Sequence, residues 1–154
     1  MPRSTVPVVL MVLTALLSAC EPAGNAAASS TKPVHCTVVV DGPEKPDNAQ
    51  RIVGRVRFRC AKPGAQKLAI KLRLEQRTSG GSWKTVASKS FSLSGAQTVA
   101  AELKYQSREV AIGCKTGTFR TVVDWTRTSR GDTESDNLVS GSMKDPCKSL
   151  FGDR

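Results

Sequence analysis

Residues 51 to 75 alternate with a period of two. Ile52, Gly54, Val56, Phe58 and Cys60 stand at the even positions, against Arg51, Val53, Arg55, Arg57 and Arg59 at the odd ones. After a turn-rich break, Leu68, Ile70, Leu72 and Leu74 alternate with Lys67, Ala69, Lys71, Arg73 and Glu75. Successive side chains of a strand point to opposite faces, so this pattern describes strands with one dry face and one wet face. Antiparallel sheets solvated on one side are built that way.

The same reading predicts further strands at Cys36–Asp41, Trp83–Phe91, Gln97–Lys104, Thr118–Thr126 and Asn137–Met143. Turn chemistry separates them at Asp41-Gly42-Pro43, Ala61-Lys62-Pro63-Gly64, Thr78-Ser79-Gly80-Gly81-Ser82, Ser94-Gly95 and Ser129-Arg130-Gly131-Asp132. The stretch from Val99 to Val110 also permits a helical reading, but it lacks a cap. Seven short strands in a single 154-residue chain predict an all-β, antiparallel, immunoglobulin-like β-sandwich, with a small β-barrel as the alternative. Phe58, Trp83, Phe91, Phe119 and Trp125 are expected in the core, Phe119 and Trp125 sharing a face with Thr121 and Val123.

The first twenty residues have another design. Arg3 is the only charge in the opening Met1-Pro2-Arg3-Ser4-Thr5, an apolar run from Val6 to Leu17 follows, and small residues close it. That is the layout of a secretory signal peptide, and a membrane span would need roughly 20 apolar residues. Leu17-Ser18-Ala19-Cys20 resembles the lipobox of bacterial lipoproteins. The resemblance implies that residues 1–19 are removed and that the Cys20 thiol carries a diacylglyceryl group with palmitate-like chains. The product would be extracytoplasmic and anchored to the cell membrane. Residues 20–33 then form a flexible tether of roughly 20 Å, and residues 34–154 form the folded domain. The pieces Ile52-Val53-Gly54-Arg55-Val56-Arg57-Phe58-Arg59-Cys60, Gly81-Ser82-Trp83-Lys84-Thr85-Val86-Ala87-Ser88 and Gly113-Cys114-Lys115-Thr116-Gly117-Thr118-Phe119-Arg120-Thr121 are similar to small secreted actinobacterial domains. That likeness implies an exported domain and no particular activity.

With Cys20 assigned to lipid, Cys36, Cys60, Cys114 and Cys147 remain, an even number that favours disulfides in an exported chain. Three pairings exist. Spacing favours Cys36–Cys60 and Cys114–Cys147, because each pair is symmetric about a turn and would close the open end of a hairpin. Cys60–Cys114 with Cys36–Cys147 is the main alternative, though the end of a second strand and the start of a sixth lie at opposite ends of a sandwich. Spacings of 24, 54 and 33 residues fit a four-thiolate zinc site poorly, so no metal is expected.

The segment from Arg51 to Ser90 holds eleven basic residues and one acidic residue, which equals the whole chain's net charge of +10. Arg51, Arg55, Arg57 and Arg59 share one side of one strand; Lys67, Lys71, Arg73 and Arg77 share one side of the next. Pairing of those two strands would make a basic plate facing anionic lipid, a wall polymer or an acidic envelope protein. Nucleic acid is not expected as a partner, since stacking aromatics are not interleaved with the charges and the compartment is wrong for it.

Several short motifs have plainer explanations. Arg130-Gly131-Asp132 matches an adhesive tripeptide but is also ordinary turn chemistry. Asp132-Thr133-Glu134-Ser135-Asp136-Asn137 alternates oxygen ligands as a calcium loop does, without the later glycine and glutamate of an EF-hand. His35 beside Cys36 would make a Cys-His nucleophile only if the thiol were free. No cofactor motif or acid-base constellation stands out, so a non-enzymatic binding or structural role at the envelope is expected. A superinfection-exclusion lipoprotein of phage or prophage type is the alternative.

Overall fold

The computed structural model describes residues 31–102 and 104–148. The signal segment, Cys20 and most of the expected tether lie outside the described residues. The strands are β1 (Cys36–Glu44), β2 (Arg51–Cys60), β3 (Lys67–Arg77), β4 (Trp83–Leu93), β5 (Gln106–Gly113), β6 (Thr118–Ser129), β7 (Asp132–Val139) and β8 (Met143–Lys144), with one 3-10 turn, Gly95–Thr98, before β5. All pairings between them are antiparallel. One sheet runs β1-β2-β5; the other runs β4-β3-β6-β7, and β8 pairs with the start of β6. Both sheets are open, so the architecture is a sandwich rather than a barrel. Compared with the constant-type immunoglobulin order, the fourth strand lies in the second sheet instead of the first.

Alternation decides what fills the space between the sheets. Ile52, Val56 and Phe58 of β2 face Leu68, Ile70, Leu72 and Leu74 of β3, all 2% exposed or less. β6 adds Phe119, Thr121, Val123 and Trp125 from one face, as its sequence predicts. Gly54 is the inward position where the layers come closest. A Cβ there would lie 3.0 Å from Thr121 Oγ1 and 3.4 Å from Leu74 Cδ1, which explains a glycine within an apolar strand.

The chain crosses between sheets after β2, β4 and β5. The first two crossings are clasped together at one end of the sandwich. Gly95 N–H donates to the Ala65 carbonyl at 2.7 Å, Ala65 N–H donates to Thr98 Oγ1 at 2.9 Å, and Thr98 Oγ1 donates to the Gly95 carbonyl at 2.7 Å. Gly64, at φ +104°, packs so closely that a Cβ would fall on the Gly95 carbonyl.

Two disulfides staple the domain with the pairing that turn symmetry favours. Cys36–Cys60 joins opposite residues of β1 and β2, and Cys114–Cys147 joins the loop after β5 to the segment after β8. Asp145 braces the second staple. Its Oδ1 accepts the Gly117 N–H at 2.7 Å, its own N–H donates to the Gly117 carbonyl at 2.7 Å, and Oδ2 meets Lys148 Nζ at 3.0 Å. The backbone amide first, and then the ammonium group, hold its carboxyl below the usual carboxylate range. A carboxyl depressed by folding stabilises the fold above its ordinary pKa, and that contribution is lost as pH falls through the lower folded value. The chemical shift of the Gly117 amide proton should therefore report a carboxyl midpoint below the ordinary aspartate value, and Asp145→Asn should abolish that transition. An NMR midpoint at or above the ordinary aspartate value would contradict the brace.

Three expectations need correction. The segment expected as the strand Gln97–Lys104 begins instead with the 3-10 turn, and the strand runs over Gln106–Gly113. Here the chain must cross from one sheet to the other, and Gln106 Nε2 holds the crossing by donating to the carbonyls of Gln97 and Val99 at 2.8 and 2.6 Å. The last long strand covers Asp132–Val139 rather than Asn137–Met143, so the supposed acidic loop is part of a hairpin. Its turn residues, Arg130 and Gly131, have φ of +52° and +76°, the signs required by a type I′ turn. Trp83 is not in the core; it lies half-buried on the outer side, with the Arg120 guanidinium 4.2 Å from its ring centroid.

Candidate functional site

The basic residues form two faces, not one plate. β2 pairs with β1 and β5, while β3 pairs with β4 and β6, so Arg51, Arg55, Arg57 and Arg59 lie on the opposite side of the sandwich from Lys67, Lys71, Arg73 and Arg77. Sequence parity correctly groups side chains along each strand. It carries no information on which strand is the neighbour.

Local carboxylates then remove three of the eight from service. Arg57 grips Asp41 with two charge-assisted hydrogen bonds, Nε to Oδ2 at 2.8 Å and NH2 to Oδ1 at 2.7 Å. Arg55 bridges Glu44 at 2.7 Å and Glu109 at 2.9 Å, across all three strands of its sheet. The hydrogen bond that Arg55 donates to Glu109 raises its affinity for its proton, as the one to Asp41 does for Arg57. On the other face Arg73 meets Asp124 at 2.7 Å. Arg120 binds Glu75 at 2.8 Å while covering Trp83.

Lys67, Lys71, Arg51 and Arg77 stay exposed, and they are dispersed. Lys67 and Lys71 border a shallow trough of about 380 Å³ on the outer side of β3, beside Ser90, Ser92 and Thr126. Arg51 and Arg77 sit near the end of the sandwich remote from Thr31, the first described residue.

A different grouping lies at the proximal end, where the chain comes into the domain. Here an open groove of about 420 Å³ runs beside the Cys36–Cys60 disulfide, between His35, Thr37, Arg59 and Lys62 on one side and Val99, Ala100 and Ala101 on the other. The Val99–Ala101 wall is shared with an apolar depression floored by Pro63 and Ala96. Arg57 and Arg59 stack over Tyr105, 5.5 and 4.8 Å from its centroid, which holds Arg59 along the rim. Lys32, Lys104 and Arg130 are exposed at the same end. Arg130 also secures the incoming chain: its NH1 donates to the Lys32 carbonyl at 3.0 Å, and Val34 N–H donates to Ser129 Oγ at 3.0 Å. Sequence reading missed this end because Arg59 with Lys62, Lys104, Lys32 and Arg130 come from four separate segments. The signal it could have used is the non-alternating Val99-Ala100-Ala101.

The tempting motifs resolve into structure. Asp132 does not splay from the hairpin tip; its carboxylate turns to Arg127 at 2.9 Å. On β7, Asp132, Glu134 and Asp136 alternate with Thr133, Ser135 and Asn137, so the six residues face two ways instead of converging as ion ligands do. His35 neighbours a cysteine whose sulfur is bonded to Cys60. No protein-family model matches the chain, and no curated protein matches it.

Proposed function

We propose that the protein is a lipid-anchored envelope protein with a non-enzymatic, binding or structural role. One observation carries the reading: two disulfides consume four of the five cysteines and leave Cys20 as the odd one. Structural disulfides belong to oxidising compartments, which agrees with export. The remaining thiol ends an apolar segment with the spacing of a lipobox. Once lipidated, the domain would work within reach of anionic lipid, wall polymer or an acidic envelope protein.

The test is metabolic labelling of the full chain with an alkynyl fatty acid in a bacterial host, with mass analysis of the product. The expected mature chain begins at an acylated Cys20 and sediments with membranes; Cys20→Ser should lose the label. A wild-type product that keeps residues 1–19, or that takes up no label, would overturn the reading.

A further inference from the structure

We propose that the proximal end of the sandwich is the surface that rests on the membrane. The Ala96–Ala101 segment and Pro63 would meet the headgroup layer, and Lys32, Arg59, Lys62, Lys104 and Arg130 would contact anionic phospholipid. The inference rests on the lipid-anchored reading above and specifies how the anchored domain is oriented.

Charge alone does not select this end. The distal end also presents cations, among them Arg51, Arg77, Lys115 and Lys144. Chain entry at the proximal end separates them, and two further features suit that end to a headgroup layer. First, the incoming chain is fastened there, through Arg130 to the Lys32 carbonyl and through Ser129 to Val34. Fourteen residues, 20–33, reach from the lipid-bearing Cys20 to this point. The twelve residues of β6 measure about 40 Å along the sandwich. Presenting the distal end to the same bilayer would draw the tether close to its full extension of about 48 Å, at a large cost in chain entropy.

Second, the apolar residues Pro63, Ala96 and Ala101 are exposed there, on two crossings held by the Gly64–Gly95 contact and the buried Thr98 hydroxyl, whereas the exposed apolar residues toward the distal end, Val139 and Met143, lie on β7 and β8. The surface is fixed before it meets lipid. Third, the cations beside them, like those at the distal end, lack carboxylate partners among the described residues, so they are available to an anionic surface as Arg55, Arg57 and Arg73 are not. Glu102 is the one carboxylate lining the groove. Near an anionic surface each such cation contributes about 1 kcal/mol, a factor of about five in occupancy.

The experiment uses the mature lipidated protein in vesicles containing phosphatidylglycerol, with a photo-crosslinking amino acid at Ala100 or, as the distal control, at Ser79. Position 100 should capture phospholipid at least tenfold more than position 79. Lys62→Gln with Lys104→Gln should lower that capture by roughly thirtyfold, as should phosphatidylcholine vesicles by removing the anionic lipid. Both lysines are exposed, and an unchanged thermal melt confirms that the double variant is folded. Intact mass reports lipidation in the same samples. A lipidated protein that captures equally from both positions, or that captures only a second copy of itself, overturns this orientation and leaves the anchor standing. A sample without lipid on Cys20 overturns both.

Discussion

Replacing Cys36 and Cys60 together by alanine is expected to destabilise the domain by about 4 kcal/mol and to lower its melting temperature by about 15 °C. Chain entropy supplies most of this: a crosslink spanning 24 residues withdraws about 3.5 kcal/mol of freedom from the unfolded chain. Packing supplies the remainder, because both sulfurs belong to the core, with Cys36 3% and Cys60 4% exposed. The Cys114–Cys147 staple spans 33 residues, so its entropic term is similar, at about 3.8 kcal/mol. Its cysteines are only half-buried, and their removal opens less of the core. Urea unfolding of the two double variants should therefore show comparable losses. The first should be the more easily proteolysed, since β1 is an edge strand held by a single neighbour. Midpoints unchanged from wild type in either variant would show that the staple adds nothing to the stability of the fold.

The elements that the sequence announces are those whose burial is governed by their own strand. On β2 and β3 the even positions are apolar and the odd ones mostly charged, so their inner faces are readable without knowledge of any partner. The disulfide pairing was legible for a related reason: each pair brackets a turn, and a hairpin returns its ends to one place. What the sequence does not display are the terms that depend on neighbours. Arg55 and Lys71 look equivalent as cations, yet one is clamped by Glu44 and Glu109 from adjacent strands while the other is exposed. The basic plate failed at that step. The crossing after β4 is opaque for a similar reason, since its geometry is decided by Ala65 and Thr98 across 33 residues. β7 is hidden because its inward positions are acidic: no apolar alternation marks a strand whose charges are matched by an arginine on the strand beside it.

That arginine gives the second large expected effect. Arg127 lies on the inner face of β6 with its side chain 6% exposed, and its NH2 reaches Asp132 at 2.9 Å and Glu134 at 2.8 Å. The hydrogen bond to Glu134 is the main reason its guanidinium holds its proton more tightly than usual, against the opposing effect of burial. Nε and NH1 have no partner among the described residues, so the group is costly to bury and depends on the two acids. Removing both acids, as Asp132→Asn with Glu134→Gln, leaves a buried cation without an opposite charge. For a wholly buried pair such a loss is about 3–5 kcal/mol; with the carboxylates about half exposed to water we expect roughly 2–3 kcal/mol. Arg127→Met, by contrast, deletes the buried charge and leaves two acids that water can solvate, so its stability should stay within about 1 kcal/mol of wild type. The two variants are distinguished by urea midpoints, and by amide exchange at Val34, whose N–H is bonded to Ser129 beside the same hairpin. Equal losses in both variants would contradict the assignment. If the acid-free variant alone accelerates exchange at Val34, β7 is held by its ion pairs, and those pairs also keep the incoming chain fastened to the proximal end.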